Sequence, residues 1–87
     1  DLEATNNDDG WWEVHKVNKD TYIVDGGRII RISQVTDPRS TEQVIRFQNI
    51  MISMGIMAEL KHLGVQNGDT IIVGKLELEY WDDEVYK

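Results

Sequence analysis

Cysteine is absent from the 87 residues of this chain. Its absence excludes a disulfide-stapled scaffold and zinc sites built from thiolates, and it agrees with a reducing compartment such as the cytoplasm. No apolar run approaches the roughly 18 residues that a membrane-spanning helix needs, and no signal peptide is visible. The first residue is Asp1 rather than Met. We therefore expect a cytoplasmic fragment of a longer protein, without contact with a membrane and monomeric when isolated.

Positive charge is also scarce, since nine Lys and Arg stand against 16 Asp and Glu and give a net charge of −7. A free-standing nucleic-acid-binding protein usually has a basic surface, because it displaces counterions from phosphates. Residues 28–46 differ from the rest of the chain, because they hold four arginines and only two acids, Asp37 and Glu42. The arginines are Arg28, Arg31, Arg39 and Arg46.

The chain has the length of one compact domain. Residues 1–10, DLEATNNDDG, are polar and acidic without periodicity, which predicts a flexible linker. Residues 11–82 carry the domain, and the acidic residues 83–87 are expected to form a loose tail. No internal repeat or low-complexity segment is present.

The first hydrophobic segment has the alternation of a half-buried strand. Trp12 and Val14 alternate with Trp11 and Glu13, so one of the two tryptophans should be partly exposed. A turn cluster at residues 18–20 and a second β-branched run make this segment a β-hairpin, which ends at the two glycines of residues 26–27.

The middle of the chain predicts helices. Residues 28–36 are ambiguous, because their isoleucines fit both a strand and a helix. Ser40 and Gln43 then form a capping box, after Pro38 has excluded an uninterrupted helix. A long helix follows, with one apolar face and a stop at Gly55, and a shorter helix runs from Ile56 to Leu63. The apolar face consists of Val44, Phe47, Met51 and Met54.

Residues 68–76, GDTIIVGKL, resemble a phosphate-binding Walker A loop. The motif requires four residues between its glycines and a hydroxyl after the lysine, whereas five residues separate Gly68 from Gly74 and Leu76 follows Lys75. Residues 70–73 are β-branched and favour a strand. We predict a second hairpin with Gly74-Lys75 in a type II′ turn. The fold class is therefore α+β, a four-stranded sheet from two hairpins with two or three helices inserted between them and packed on one face.

A series of short motifs in residues 27–80 has a characteristic order and spacing. In chain order they are GRIIRISQVT (27–36), EQVIRFQ (42–48), MGI (54–56), Leu60 with Leu63-Gly64, GDTIIVG (68–74) and ELEY (77–80). Together they resemble the C-terminal (OCT) domain of the bacterial Obg GTPases over about residues 12–81. Ile30 and Ser33 depart from the family pattern, which often has Glu and Val there. The resemblance favours a helix over residues 28–36 and a TGS-like fold.

The resemblance also implies a function. Obg proteins bind GTP and Mg²⁺ in a central G domain that precedes this one, so none of the family's nucleotide-binding residues can be assigned here. They are assembly factors of the large ribosomal subunit, linked to growth control and the stringent response. We therefore expect a non-catalytic regulatory or recognition domain, with the large ribosomal subunit, the parent's own G domain or a stress-response protein as partners.

The remaining residues suggest no catalytic, cofactor-binding or metal-binding site. His15 and His62 lie on different elements, whereas a zinc site usually clusters its ligands. Two alternatives stay open: an unrelated ubiquitin-like interaction module, and a stand-alone enzyme, for which no catalytic constellation is visible. The candidate partner contact is Arg28, Arg31 and Arg39, because guanidinium groups suit phosphates and carboxylates. The competing interpretation is that these arginines pair internally with acids such as Asp25, Asp37 and Glu42 and have no other role.

Overall fold

A computed structural model describes residues 10–81, which form four strands and three helices. In chain order these are β1 (Trp12–Asn18), β2 (Thr21–Gly26), α1 (Gly27–Gln34), α2 (Thr41–Met54), α3 (Ile56–His62), β3 (Thr70–Val73) and β4 (Leu76–Glu79). The predicted tail, and all of the predicted linker except Gly10, lie outside the described residues.

The strands form one sheet in the order β1-β2-β3-β4. Its two outer pairs are antiparallel hairpins, and the central pair, β2 and β3, is parallel. Parallel neighbours need a crossover connection, and here that connection contains all three described helices. The predicted α+β architecture is confirmed.

The core lies between the helices and one face of the sheet. The ladder register aligns Val14, Val24, Val73 and Leu76 in one row across this face, and Lys16, Tyr22, Ile71 and Leu78 in the next. The helices contribute their buried apolar residues, which are Ile29, Phe47, Met51, Ile56, Met57 and Leu60. Because alternate strand residues point to opposite faces, the period of two in the sequence separates core from surface.

Helix α1 resolves the ambiguity of residues 28–36 in favour of the helix. Ile29 and Ser33 lie one turn apart and are both buried. The Ser33 hydroxyl donates a hydrogen bond to the Ile30 carbonyl at 2.6 Å, which satisfies a polar group in the core. The Ser33 side chain also packs closely on the β3–β4 turn, because a Cβ atom placed on Gly74 would lie only 3.3 Å from Ser33 Oγ. Ser33 thus allows the β3–β4 turn to approach the helix.

Helix α2 is capped at its start by Ser40, which makes one of the two hydrogen bonds of the predicted capping box but not the other. Ser40 Oγ accepts a hydrogen bond from Gln43 N at 3.3 Å, as a capping box requires. The reciprocal bond from Ser40 N to Gln43 is absent, because Ser40 N donates to the Asp37 carbonyl at 3.0 Å. Gln43 Oε1 instead accepts from Asp37 N at 2.9 Å. The glutamine therefore stabilises the preceding loop rather than the first helical turn.

Gly55 and Gly74 have the positive φ angles expected for a helix C-terminus and a tight hairpin turn. Gly55 ends α2 with φ of 92°, in the left-handed region that favours glycine. Gly74 has φ of 62°, and no non-glycine residue among those described has a positive φ, so Lys75 is excluded from the left-handed region. This combination identifies the type II′ turn predicted for the second hairpin.

Candidate partner-contact surface

The three predicted contact residues lie on two consecutive segments. Arg28 and Arg31 lie one turn apart on α1, and both are exposed. Arg39 lies in the turn before the Ser40 cap. The Arg28 side chain makes no hydrogen bond or ion pair with another described residue, whereas Arg31 takes part in an interaction.

Arg39 is paired with the neighbouring acid. Asp37 Oδ1 accepts a hydrogen bond from Arg39 N at 2.9 Å and another from Arg39 Nε at 3.2 Å. The backbone bond, followed by the guanidinium bond, holds the pKa of Asp37 below its ordinary value of 3.8, although burial opposes the change. The Arg39 side chain is still 89% exposed, so its other donors face solvent.

Arg46, the fourth arginine of residues 28–46, lies in the second turn of α2 beside the C-terminal part of α1. A groove of about 180 Å³ between α1 and α2 is lined by Ile32, Val35 and Arg46, among others. Val35 is 80% exposed, and arginine is one of the residues enriched at protein interfaces. Spacing within one helix could not reveal this neighbourhood, because it depends on how α1 packs on α2. We call Arg28, Arg31, Arg39 and Arg46 the basic surface.

A larger cleft borders the basic surface. It has a volume of about 610 Å³, and its lining is Ser33, Gln34, Thr36, Pro38, Gly74, Lys75 and Leu76. Gln34 lies one helical turn after Arg31, and Pro38 precedes Arg39 in the chain. On the opposite side, the β3–β4 hairpin contributes Lys75, which adds a further cation to the lining of the cleft. The position of Lys75 in this cleft could not be read from the Gly-Lys pair, which is sufficiently explained as a turn.

The acidity of the chain is concentrated outside the described part. Residues 10–81 contain eight of the nine Lys and Arg and nine of the 16 Asp and Glu. Residues 1–9 and 82–87 together hold the remaining one Lys and seven acids. The part of the chain that the structure describes is thus close to neutral. It repels phosphate much less than the net charge of −7 indicates, and a local basic surface can dominate its near field.

The other candidate sites can also be placed. His15 lies on β1 and its Nε2 is 3.2 Å from Glu13 Oε1, whereas His62 lies at the end of α3. In residues 10–81 no group of three His, Asp or Glu side chains is arranged to hold a metal ion. Within the same range no helix is both long and apolar enough to cross a membrane.

Comparison with known proteins gives a consistent result. Residues 12–80 match the family described as "Domain of unknown function (DUF1967)". The chain is 33% identical over 63 residues to the "GTPase Obg" of Brevibacillus brevis, which covers 72% of this chain and 15% of that protein. It is 36% identical over 73 residues to the "Probable GTP-binding protein OBGC1, chloroplastic" of Oryza sativa subsp. indica, covering 84% of this chain and 10% of the relative.

A third relative is matched over nearly the whole chain. The "GTPase Obg" of Lysinibacillus sphaericus is 32% identical over 82 residues, which cover 94% of this chain and 17% of that protein. The chain therefore spans less than a fifth of the length of each of these relatives.

Proposed function

The chain belongs to the C-terminal domain family of the Obg GTPases, and we propose that it is the regulatory, non-catalytic recognition domain of such a GTPase. The observation that carries the proposal is the family match over residues 12–80, together with an alignment that covers only 15% of a relative named as a GTPase. Membership of this family removes the alternative of an unrelated ubiquitin-like module.

The non-catalytic part of the proposal rests on the backbone of β3. A phosphate-binding loop points successive free N–H groups at the ligand. Residues 70–73 pair with β2 on one side and with β4 on the other, so their backbone groups serve the sheet. Gly74 and Lys75 only turn the hairpin. GTP and Mg²⁺ would accordingly bind in a separate G domain of the parent protein.

The partner part of the proposal rests on the basic surface. Its exposed guanidinium groups can bind phosphate or carboxylate in a bidentate manner. The partner that fits both this chemistry and the family is the large ribosomal subunit, with a role in its assembly and in growth and stress control. The parent's own G domain and a stress-response protein are the other candidates. The cytoplasm is the proposed location, and the rice relative is named as chloroplastic.

The test is a triple substitution, Arg28→Gln, Arg31→Gln and Arg39→Gln, in the full-length protein that carries this domain. Co-sedimentation with large ribosomal subunits should weaken, and its dependence on salt should become shallower, because fewer phosphate contacts release fewer counterions. The unfolding midpoint of the domain should change little, since all three side chains are exposed and the Arg39–Asp37 pair lies at the surface, where ion pairs contribute little.

A matched control removes the same charge elsewhere. The control variant replaces three lysines by glutamine: Lys16 on β1, Lys19 in the first hairpin turn and Lys61 on α3. None of them belongs to the basic surface. The proposal requires a larger loss for the arginine variant than for the lysine variant. Equal losses would mean that only net charge matters, and unaltered association in both would make the arginines ordinary solvated surface.

A further inference from the structure

The sheet has a second face, and no described helix packs on it. The register assigns to this open face the pair Glu13–Asp25, the row His15–Ile23–Ile72–Glu77 and the row Thr21–Thr70–Glu79. Four of these nine residues are acids, and none is Lys or Arg. The open face is therefore acidic, whereas the arginines of the basic surface lie on α1, α2 and the loop between them.

The centre of the open face is apolar. Ile23 and Ile72 are direct neighbours on the parallel central strands and are only half-buried. Neither belongs to the core cluster or to the partly buried residues packed against it. Their side chains therefore lie on the outer side of the sheet and are available to a partner.

Two further apolar side chains are exposed near the two ends of the edge strand β1. Trp11 is 46% exposed and, since Trp12 faces the helices, the alternation of the strand turns Trp11 towards the open face. Val17 is 49% exposed and lies where the β1–β2 register shifts. Clustered apolar exposure with a polar rim is characteristic of an interaction site, whereas scattered single residues are not.

The carboxylates of the rim differ in how they are engaged. Glu13 contacts His15, and Asp25 Oδ1 accepts a hydrogen bond from Gly26 N at 2.9 Å. The side chains of Glu77 and Glu79 are exposed and make no hydrogen bond or ion pair with any residue between 10 and 81. Two carboxylates that lie two residues apart on the open side of β4, unpaired within residues 10–81, are thus available to bind cations on a partner.

We propose that the open face docks a lysine- and arginine-rich segment of another polypeptide. Its cations would pair with Glu77 and Glu79, an apolar side chain would cover Ile23 and Ile72, and one cation would lie over the ring of Trp11. Charge complementarity selects this occupant. Nucleic acid is disfavoured because the rim repels phosphate, and residues 1–9 and 82–87 are themselves acidic. The inference is independent of the ribosomal proposal and concerns a different surface.

The first experiment is an NMR titration of the whole chain with a short peptide of alternating lysine and valine. Amide shifts should change at Ile23, Ile72 and Glu77, with little change on α1. A peptide of alternating glutamate and valine is the control and should leave the spectrum unchanged. Shift changes confined to residues outside the open face would overturn the proposal, as would stronger binding of a single-stranded RNA to that face.

Paired variants then separate contact from net charge. Glu77→Gln with Glu79→Gln should raise the Kd for the lysine peptide about tenfold, since two exposed ion pairs are lost. Glu42→Gln with Glu59→Gln removes the same charge from α2 and α3 and should change the Kd far less. Equal effects of the two pairs, or no effect of either, would contradict the proposal. Ile72→Thr should also weaken binding while leaving the unfolding midpoint nearly unchanged.

Discussion

The hydroxyl of Tyr22 is buried without a hydrogen-bond partner among the described residues. The ring itself is fully buried in the core, and Lys16 Nζ lies 5.7 Å from its centroid. An unsatisfied buried polar group costs about 1–3 kcal/mol, whereas the ring stabilises the fold by burying apolar area. Tyr22 is therefore a core residue that carries one unfavourable atom.

We predict that Tyr22→Phe raises the free energy of unfolding by about 1 kcal/mol, because it removes the hydroxyl and keeps the ring. Urea denaturation of both proteins measures the difference. A loss of stability greater than about 1 kcal/mol would show that the hydroxyl is hydrogen-bonded in the folded protein, for instance to a buried water.

Asp37, in the loop before α2, makes the stability of the fold depend on pH. Its pKa is lowered in the folded chain by the two hydrogen bonds from Arg39, so the ionised form stabilises the fold. A lowered pKa means that this contribution is complete above the unfolded value, near 3.8, and is lost as the pH falls through the folded value.

The expected result is that the native chain is more stable than Asp37→Asn at neutral pH and that the difference shrinks below about pH 4. Chemical denaturation at a series of pH values gives both curves. A difference that stayed constant down to the acid limit would show that the charge of Asp37 has no part in stability.

Among the elements, α1 shows where sequence reasoning reaches its limit. Its isoleucines at spacings of two and three satisfy both periods, so the residues alone could not choose between strand and helix. The resemblance to a family made the choice, and the structure confirms it. The hairpins and α2 could be predicted from turn glycines, β-branched runs and an apolar face, because each of these signals is local. Two features could not be predicted in this way. The groove between α1 and Arg46 depends on helix packing, and the open face of the sheet depends on strand register.

Helix α2 holds the centre of the core. Phe47 is 1% exposed and is the largest helical side chain in the cluster. Phe47→Ala should cost about 3–5 kcal/mol, which is a large part of the roughly 5–15 kcal/mol that stabilises a domain. Thermal or chemical unfolding measures the loss, and the variant is expected to be marginally folded.

Ile52→Ala is the matched control, because Ile52 lies on the same helix and is 43% exposed. It should cost much less than Phe47→Ala. If the two substitutions shifted the unfolding midpoint equally, the assignment of the inner face of α2 would be wrong.

From the structure of the β3–β4 hairpin we predict that the chain does not bind nucleotide. Its Gly74-Lys75 turn joins two paired strands, so addition of GTP and Mg²⁺ should leave the amide shifts of Gly68, Gly74 and Lys75 unchanged. An NMR titration at moderate GTP concentration checks this. Saturable shift changes at these three residues would show that the resemblance to a Walker A loop is functional.

At the scale of the whole molecule, the fold separates its charges. The crossover places the helices, with the basic surface, on one side of the sheet and leaves an acidic face on the other. Sequence composition reports only the sum of these surfaces, and the seven acids outside residues 10–81 dominate that sum. The net charge therefore locates neither surface, whereas the local excess of arginine in residues 28–46 marks where the exposed cations lie.

The central claim is that this domain recognises the large ribosomal subunit through its basic surface. The most direct test is transferred cross-saturation from large ribosomal subunits to the deuterated, ¹⁵N-labelled chain. We predict signal loss at Arg28, Arg31, Val35 and Arg39, and full intensity at Ile23, Ile72 and Glu77. Undiminished signals throughout, or losses restricted to the open face, would contradict the claim.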